Sequence, residues 1–213
     1  MPTVLCYGDS NTYGTMPMTS REAEGRYPVD RRWTAVLGRE LGAGWTVVVE
    51  GLPGRTTVHD DPIEGAHKNG GRYLLPCLQS HRPLDAVVLM LGTNDLKARF
   101  SLPAEDIADG IGALLEIVAG AAAGSAGRTP RILLVAPPPL ARLDMFAGMF
   151  TGGTEKSLRL AGLYAALAAR RGVEFLDTSQ VIRSSDVDGI HFDADALEPL
   201  GQVIAGRLRQ MLG

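Results

Sequence analysis

The sequence predicts an α/β fold, a three-layer α/β/α sandwich built on a parallel sheet. Two observations carry that prediction. Apolar runs of strand length occur at residues 4–7, 45–49, 86–91, 132–136 and 173–176. None alternates cleanly with polar residues, as expected of strands covered on both faces. Helical patterns lie between them, and strand alternating with helix implies right-handed βαβ units.

Taken in order, Val4-Leu5-Cys6-Tyr7 is the first strand, and Gly8-Asp9-Ser10-Asn11 is the turn that leaves it. Residues 12–32 exceed ordinary loop length. A helix over 33–41 stops at Gly42, and one over 155–170 stops at Gly172, since glycine suits the residue that ends a helix. Residues 71–81 read as a helix, as do 103–123, with Pro103 in the first turn. Residues 120–130 are a small-residue helix end and loop. The last helix is expected over 197–212. A second long connection, 137–153, combines Pro137-Pro138-Pro139-Leu140 with Met145, Phe146, Met149 and Phe150. Such apolar content in a loop suggests a pocket wall, a lid or a subunit contact. No internal repeat or linker divides the chain, so residues 1–213 are expected to form one domain.

Composition narrows the function classes. With 45% hydrophobic and 21% charged residues, disorder and membrane spanning are both disfavoured. A net charge of −3 argues against a nucleic-acid partner, which would require a basic face. The first apolar run is of strand length, not signal-peptide length. Cys6 and Cys77 have no disulfide or metal-ligand spacing. They are expected as buried free thiols in a reducing compartment, with the cytoplasm as the default.

Four short motifs follow strands and so emerge at the carboxyl edge of the sheet, where open α/β folds bind ligands. Ser10 in the first is a poor nucleophile until a base takes its proton. In Asp188-Gly189-Ile190-His191 the acid stands three residues before the histidine, where it can fix the ring tautomer while the ring acts as base. In Gly92-Thr93-Asn94-Asp95 an asparagine amide can donate to a developing oxyanion. In Glu50-Gly51-Leu52-Pro53-Gly54-Arg55-Thr56 a glycine permits close backbone approach to a substrate. Each motif alone has a plainer reading as a turn or cap; together, in order, they form a constellation.

That constellation resembles the SGNH hydrolases, the GDSL-type esterase and lipase superfamily, named for Ser, Gly, Asn and His in four separate blocks. Asn11 stands where leucine is commonest. Further segments, among them Arg32-Trp33-Thr34, Arg55-Thr56-Thr57, Asp60-Asp61-Pro62 and Pro137-Pro138-Pro139-Leu140, are similar to the bacterial arylesterase and acyltransferase branch. There Tyr13 replaces a frequent tryptophan. The resemblance implies a flavodoxin-like five-stranded sheet in order 2-1-3-4-5. It implies an esterase acting on small acyl esters, some relatives transferring the acyl group to alcohols or peroxide, and a homo-oligomer. By the same resemblance Ser10 is the nucleophile, His191 the general acid and base, and Asp188 its orienter. The amides of Ser10 and Gly54, with the Asn94 side chain, form the oxyanion hole. Asp9 and Asp95 are read as supports for their turns, so that Asp9→Asn disturbs folding or alignment more than proton transfer.

No cofactor or metal is expected. His59-Asp60-Asp61 lacks a recognisable ligand spacing and reads as a loop or supporting segment. His67 and His81 have no acidic companion in sequence. Trp33 and Trp45 are expected in the core, Arg55 in a structural ion pair, and Met16, Met18, Met145 and Met149 along a pocket. The competing reading is a flavodoxin-type binding module, in which residues 8–12 cradle a phosphate at a helix N-terminus. It leaves Asn94 and His191 idle.

Overall fold

Successive strand residues point to opposite faces of a sheet, and in this chain both faces are apolar. The computed structural model describes residues 1–23 and 25–213. Its strands are β1 (Thr3–Gly8), β2 (Thr46–Gly51), β3 (Ala86–Met90), β4 (Arg131–Ala136) and β5 (Glu174–Asp177), all parallel in the order β2-β1-β3-β4-β5. The helices are α1 (Ser10–Tyr13), α2 (Trp33–Leu41), α3 (Gly70–His81), α4 (Ala104–Gly120), α5 (Gly153–Arg171) and α6 (Ala194–Leu212). Fold class and strand order are those expected.

Leu5, Tyr7, Val87, Leu89 and Leu134 face α3, α4 and α5 in one core. Val4, Cys6, Val88, Met90 and Leu133 face α2 and α6 in the other. Trp33 is buried in the second core, with Trp45 packed at its margin. Cys6 and Cys77 are buried free thiols. Removal from water raises both, Cys77 to about 12. No helix among the described residues is long and apolar enough to cross a membrane.

Boundaries differ from expectation where the local signal is weak. Pro103 caps α4 from outside instead of starting it. That helix ends at Gly120, short of the expected 123, because Ala122 turns left-handed and the Ala123 carbonyl accepts from the Leu84 amide. An alanine run carries no stop signal. Helix α6 begins at Ala194, before the expected 197, and Pro199 lies inside it. Asp193 precedes it with its carboxylate held by the Ser185 hydroxyl.

Strand register determines where the loops emerge. Gly8 pairs with Gly51 on one side and with Met90 on the other. The chain therefore leaves three adjacent strands at one level, just before Ser10, Gly54 and Asn94. Two glycines let the first turn close up. A Cβ on Gly8 would lie 2.0 Å from Thr12 Oγ1 and 2.9 Å from the Met90 carbonyl, and one on Gly51 would lie 2.2 Å from the Tyr13 amide nitrogen.

Asp9, 2% exposed, ends that turn by accepting from the Asn11 amide at 3.0 Å. Burial raises its pKa from 3.8 to about 6, against opposing contributions from the Asn11 amide and the charges of His191 and Arg55. A folded-state pKa above the unfolded one gives stability that is fully present below the unfolded value and lost as pH rises through the folded value. An asparagine at this position keeps an acceptor and does not titrate. Asp9→Asn should therefore gain on the wild type as pH rises from about 4 to about 7, by up to about 3 kcal/mol. Urea denaturation at both pH values measures this, and a constant gap contradicts it. Packing gives a second expectation. A Cβ on Gly201 would lie 2.6 Å from Val36 Cβ and 2.7 Å from the Trp33 carbonyl, whereas one on Gly206 meets nothing within 4 Å. Alanine gains about 1 kcal/mol of helix propensity over glycine, but overpacking costs about 1–3 kcal/mol and more against backbone. Gly201→Ala should lower the urea midpoint and Gly206→Ala should raise it.

Candidate active site

Ser10 opens α1 immediately beyond the Asp9 cap. His191, 181 residues later, places Nε2 3.0 Å from Ser10 Oγ. The other ring nitrogen, Nδ1, lies 2.6 Å from Asp188 Oδ2. A carboxylate can only accept, so Nδ1 carries the proton and Nε2 is left to accept from the serine hydroxyl.

Asp188 has no exposed surface, and its carboxylate is saturated with donors. Oδ1 accepts from the amides of Ile190 and His191, each at 2.9 Å. Oδ2 accepts from the Met18 amide at 2.8 Å as well as from the ring. Burial opposes its charge, but the hydrogen bond from His191, with the Met18 and His191 amides, outweighs that effect. The carboxyl is held below its ordinary range. It stays ionised in a sealed position, while Ser10 (7% exposed), His191 (6%) and Asn94 (7%) keep an opening to solvent.

The histidine turn is braced from outside. Gly189 has φ +78°, and a Cβ there would lie 2.6 Å from the Arg142 carbonyl. The Ala141 amide donates to the Gly189 carbonyl at 2.9 Å. Loop 137–153 thus packs directly on this turn. Its Phe146 and Phe150 are buried in the core with Leu140. Met145 and Met149 pack against that core, as does Met18, whereas Met16 is 40% exposed.

On the other side of Ser10 the ends of β2 and β3 grip each other. Asn94 Nδ2 donates to the Arg55 carbonyl at 3.1 Å, leaving its second hydrogen available. Asp95, fully buried, accepts from the Thr57 amide at 3.0 Å and from its hydroxyl at 2.6 Å. Gly54 has φ +80°, a backbone conformation that favours glycine.

Structure and expectation differ at Arg55. Its side chain makes no ion pair among the described residues; Nη1 donates to the Gly8 carbonyl at 2.8 Å and to the Glu50 carbonyl, and the guanidinium lies 4.1 Å over the Tyr7 ring. It clamps the strand end that carries Ser10. Asn11, which stands where the resemblance leads one to expect leucine, donates from Nδ2 to the Ile190 carbonyl at 3.3 Å, and its own backbone carbonyl accepts from Trp33 Nε1 at 3.1 Å. It joins the serine turn to the histidine turn. Asparagine in place of an apolar residue was the visible signal. The Met18 amide offered none, since any residue but proline supplies it.

The His59-Asp60-Asp61 side chains diverge. His59 Nδ1 stands 3.4 Å from Asp95 Oδ1, Asp60 pairs with Arg72, and Asp61 pairs with Arg99 and caps the amides of Ile63 and Glu64. They form no common ligand cage. A phosphate cradle is equally ill suited to the first turn. The α1 helix has only four residues, and the Asp9 carboxylate already holds the Asn11 amide.

A base, its orienter and a hydroxyl in one hydrogen-bonded line can activate an alcohol for attack on a carbonyl. The comparisons agree with that chemistry. The model of the GDSL-like lipase/acylhydrolase family matches residues 6–198. A carbohydrate acetylesterase from Sinorhizobium meliloti is 44% identical, with 99% of this chain and 100% of that chain covered and a TM-score of 0.95. The aryl esterase of M. smegmatis is 42% identical over 100% of both chains, also with a TM-score of 0.95. A second S. meliloti carbohydrate acetylesterase family member is 40% identical over 100% of both chains, with a TM-score of 0.91. No curated relative matches. The chain belongs to the GDSL-like lipase/acylhydrolase family and is a carboxylic ester hydrolase.

Proposed function

We propose that the protein cleaves small acyl esters, aryl, alkyl or acetylated carbohydrate esters, through an acyl-enzyme on Ser10. The observation that carries this reading is the continuous line from Asp188 through His191 to Ser10, at 2.6 and 3.0 Å. Ser10 Oγ bonds to the ester carbonyl carbon while its proton passes to His191 Nε2. Asp188 stabilises the imidazolium so formed. Collapse of the tetrahedral intermediate breaks the bond to the alcohol, which takes the proton from Nε2 as it leaves. Water then attacks the acyl-enzyme with the same base, and acid departs.

The tetrahedral oxygen needs donors fixed in advance. The amides of Ser10 and Gly54 and the unused hydrogen of Asn94 Nδ2 fill that role, each such donor being worth about 2.7–4 kcal/mol. The grip of Asn94 and Asp95 on residues 55 and 57 supports this assignment, because a donor held by two loops does not reorganise during the reaction. Small alcohols, or peroxide, can replace water in the second step. The narrow opening at Ser10 supports acyl transfer of this kind, since it limits the water that competes.

A panel of activated esters of rising acyl length tests the proposal on wild type and Ser10→Ala. The wild type should release a burst of leaving group stoichiometric with enzyme, largest for acetate, and Ser10→Ala should show neither burst nor substantial turnover. Unchanged turnover in Ser10→Ala would sink the mechanism. Asp188→Asn should lower kcat by about 10⁴-fold through loss of the correct tautomer. In excess small alcohol a new ester should appear among the products; free acid alone would refute the transfer step.

A further inference from the structure

Glu50, Cys77 and His81 bring a carboxylate oxygen, a sulfur and an imidazole nitrogen within 4.8 Å of one another. None of the three side chains takes part in the line at Ser10. His81 has no acidic companion in the sequence, but the fold supplies one. Glu50 pairs with Tyr7 across β1 and β2, which puts both on the face covered by α3. Cys77 and His81 lie one turn apart on α3, and residues at that spacing share a helix face.

The arrangement contains an electrostatic conflict. His81 Nδ1 lies 2.9 Å from the Cys77 carbonyl, an obligatory acceptor, so in the neutral ring Nδ1 carries the proton. The lone pair of Nε2 is then left 3.8 Å from Glu50 Oε1, another acceptor, too far for a hydrogen bond. Cys77 Sγ stands 3.8 Å from Nδ1 of the same ring. One ligand atom from each side chain lies within 4.8 Å of the others, and the Glu50 carboxylate, beyond a long contact from the Tyr73 hydroxyl at 3.5 Å, has no hydrogen bond to the ring. Zinc–ligand bonds of about 2.0–2.3 Å in tetrahedral geometry separate neighbouring ligand atoms by roughly 3.4–3.6 Å. The Nε2–Oε1 separation of 3.8 Å is already close to that, and the sulfur, now 3.8 Å from Nδ1, would swing along the ring toward Nε2. A histidine whose Nδ1–H is fixed on a backbone carbonyl also has the outer support usual for metal-ligating rings.

We propose that Glu50, Cys77 and His81 bind a thiophilic divalent cation of the zinc type, outside the catalytic site. Cys77 Sγ, His81 Nε2 and a Glu50 carboxylate oxygen are the ligands, and water completes a tetrahedron. Binding releases the thiol proton to solvent and involves no change of oxidation state. A sulfur, nitrogen and oxygen donor set selects zinc or cobalt over magnesium or calcium. The side chains of His81 and Glu50 remain 30% and 22% exposed and give an entry path, with Cys77 closed behind them. The ion would fasten the edge strand β2 to α3. Glu50 is also the residue whose carbonyl accepts from Arg55, so the clip acts on the strand that anchors the serine turn.

Titration of the metal-stripped full chain with Co²⁺ tests the site. One equivalent should produce a thiolate-to-cobalt charge-transfer band with tetrahedral d–d absorption. Zn²⁺ should abolish it and, at about a hundred times its dissociation constant, raise Tm by roughly 5–10 °C. Ser10→Ala should behave as wild type. Cys77→Ser, His81→Ala and Glu50→Gln should lose the band and the Tm shift. The last two lie at the rim and test the site even if the buried Cys77→Ser fails to fold, with ester turnover reporting their folding. Absence of the band in the wild type, its survival in folded His81→Ala and Glu50→Gln, or its loss in Ser10→Ala would each overturn the assignment.

Discussion

The carboxylate of Asp188 is the fixed point of the site. Four donors from three places converge on it: the Met18 amide from the long loop after α1, two amides of its own turn, and the His191 ring. A buried carboxylate without such donors would be protonated or would disrupt the fold, because desolvation of a charge is large. With them it stays charged, sets the ring's tautomer and holds Met18 against the histidine turn. Electrostatic satisfaction and loop placement are therefore one constraint. Asn11 adds a second tie between the same two turns.

Much of this was legible in the sequence because the signals were local and mutually reinforcing. Continuous apolar strands identified a parallel sheet, and the four motifs stood where loops leave strands. Their order along the chain suggested one edge for Ser10, Gly54, Asn94, Asp188 and His191. Register then did what sequence could only suggest, by setting Gly8 beside both Gly51 and Met90.

The unreadable parts are those carried by backbone or by distant partners. The Met18 amide has no side-chain signature. Arg55 beside a turn glycine suggested a carboxylate partner, but the fold offers carbonyl oxygens and the Tyr7 ring instead. Loop 137–153 read as a wall, lid or contact surface. Phe146 and Phe150 are in the core, and its backbone braces Gly189, so its apolar content is partly structural. The companion of His81 was invisible for the same reason: His81 ends α3, and Glu50 comes from β2.

The separation of 181 positions between Ser10 and His191 also bears on synthesis. A chain made from its N-terminus exposes Ser10 first and the histidine turn only after all five strands. Until that turn arrives, the hydroxyl has no proton acceptor and remains an ordinary alcohol. Under the proposed mechanism the hydroxyl is therefore inert on the ribosome and in any product cut short before residue 188. Arming it requires the fold to be finished.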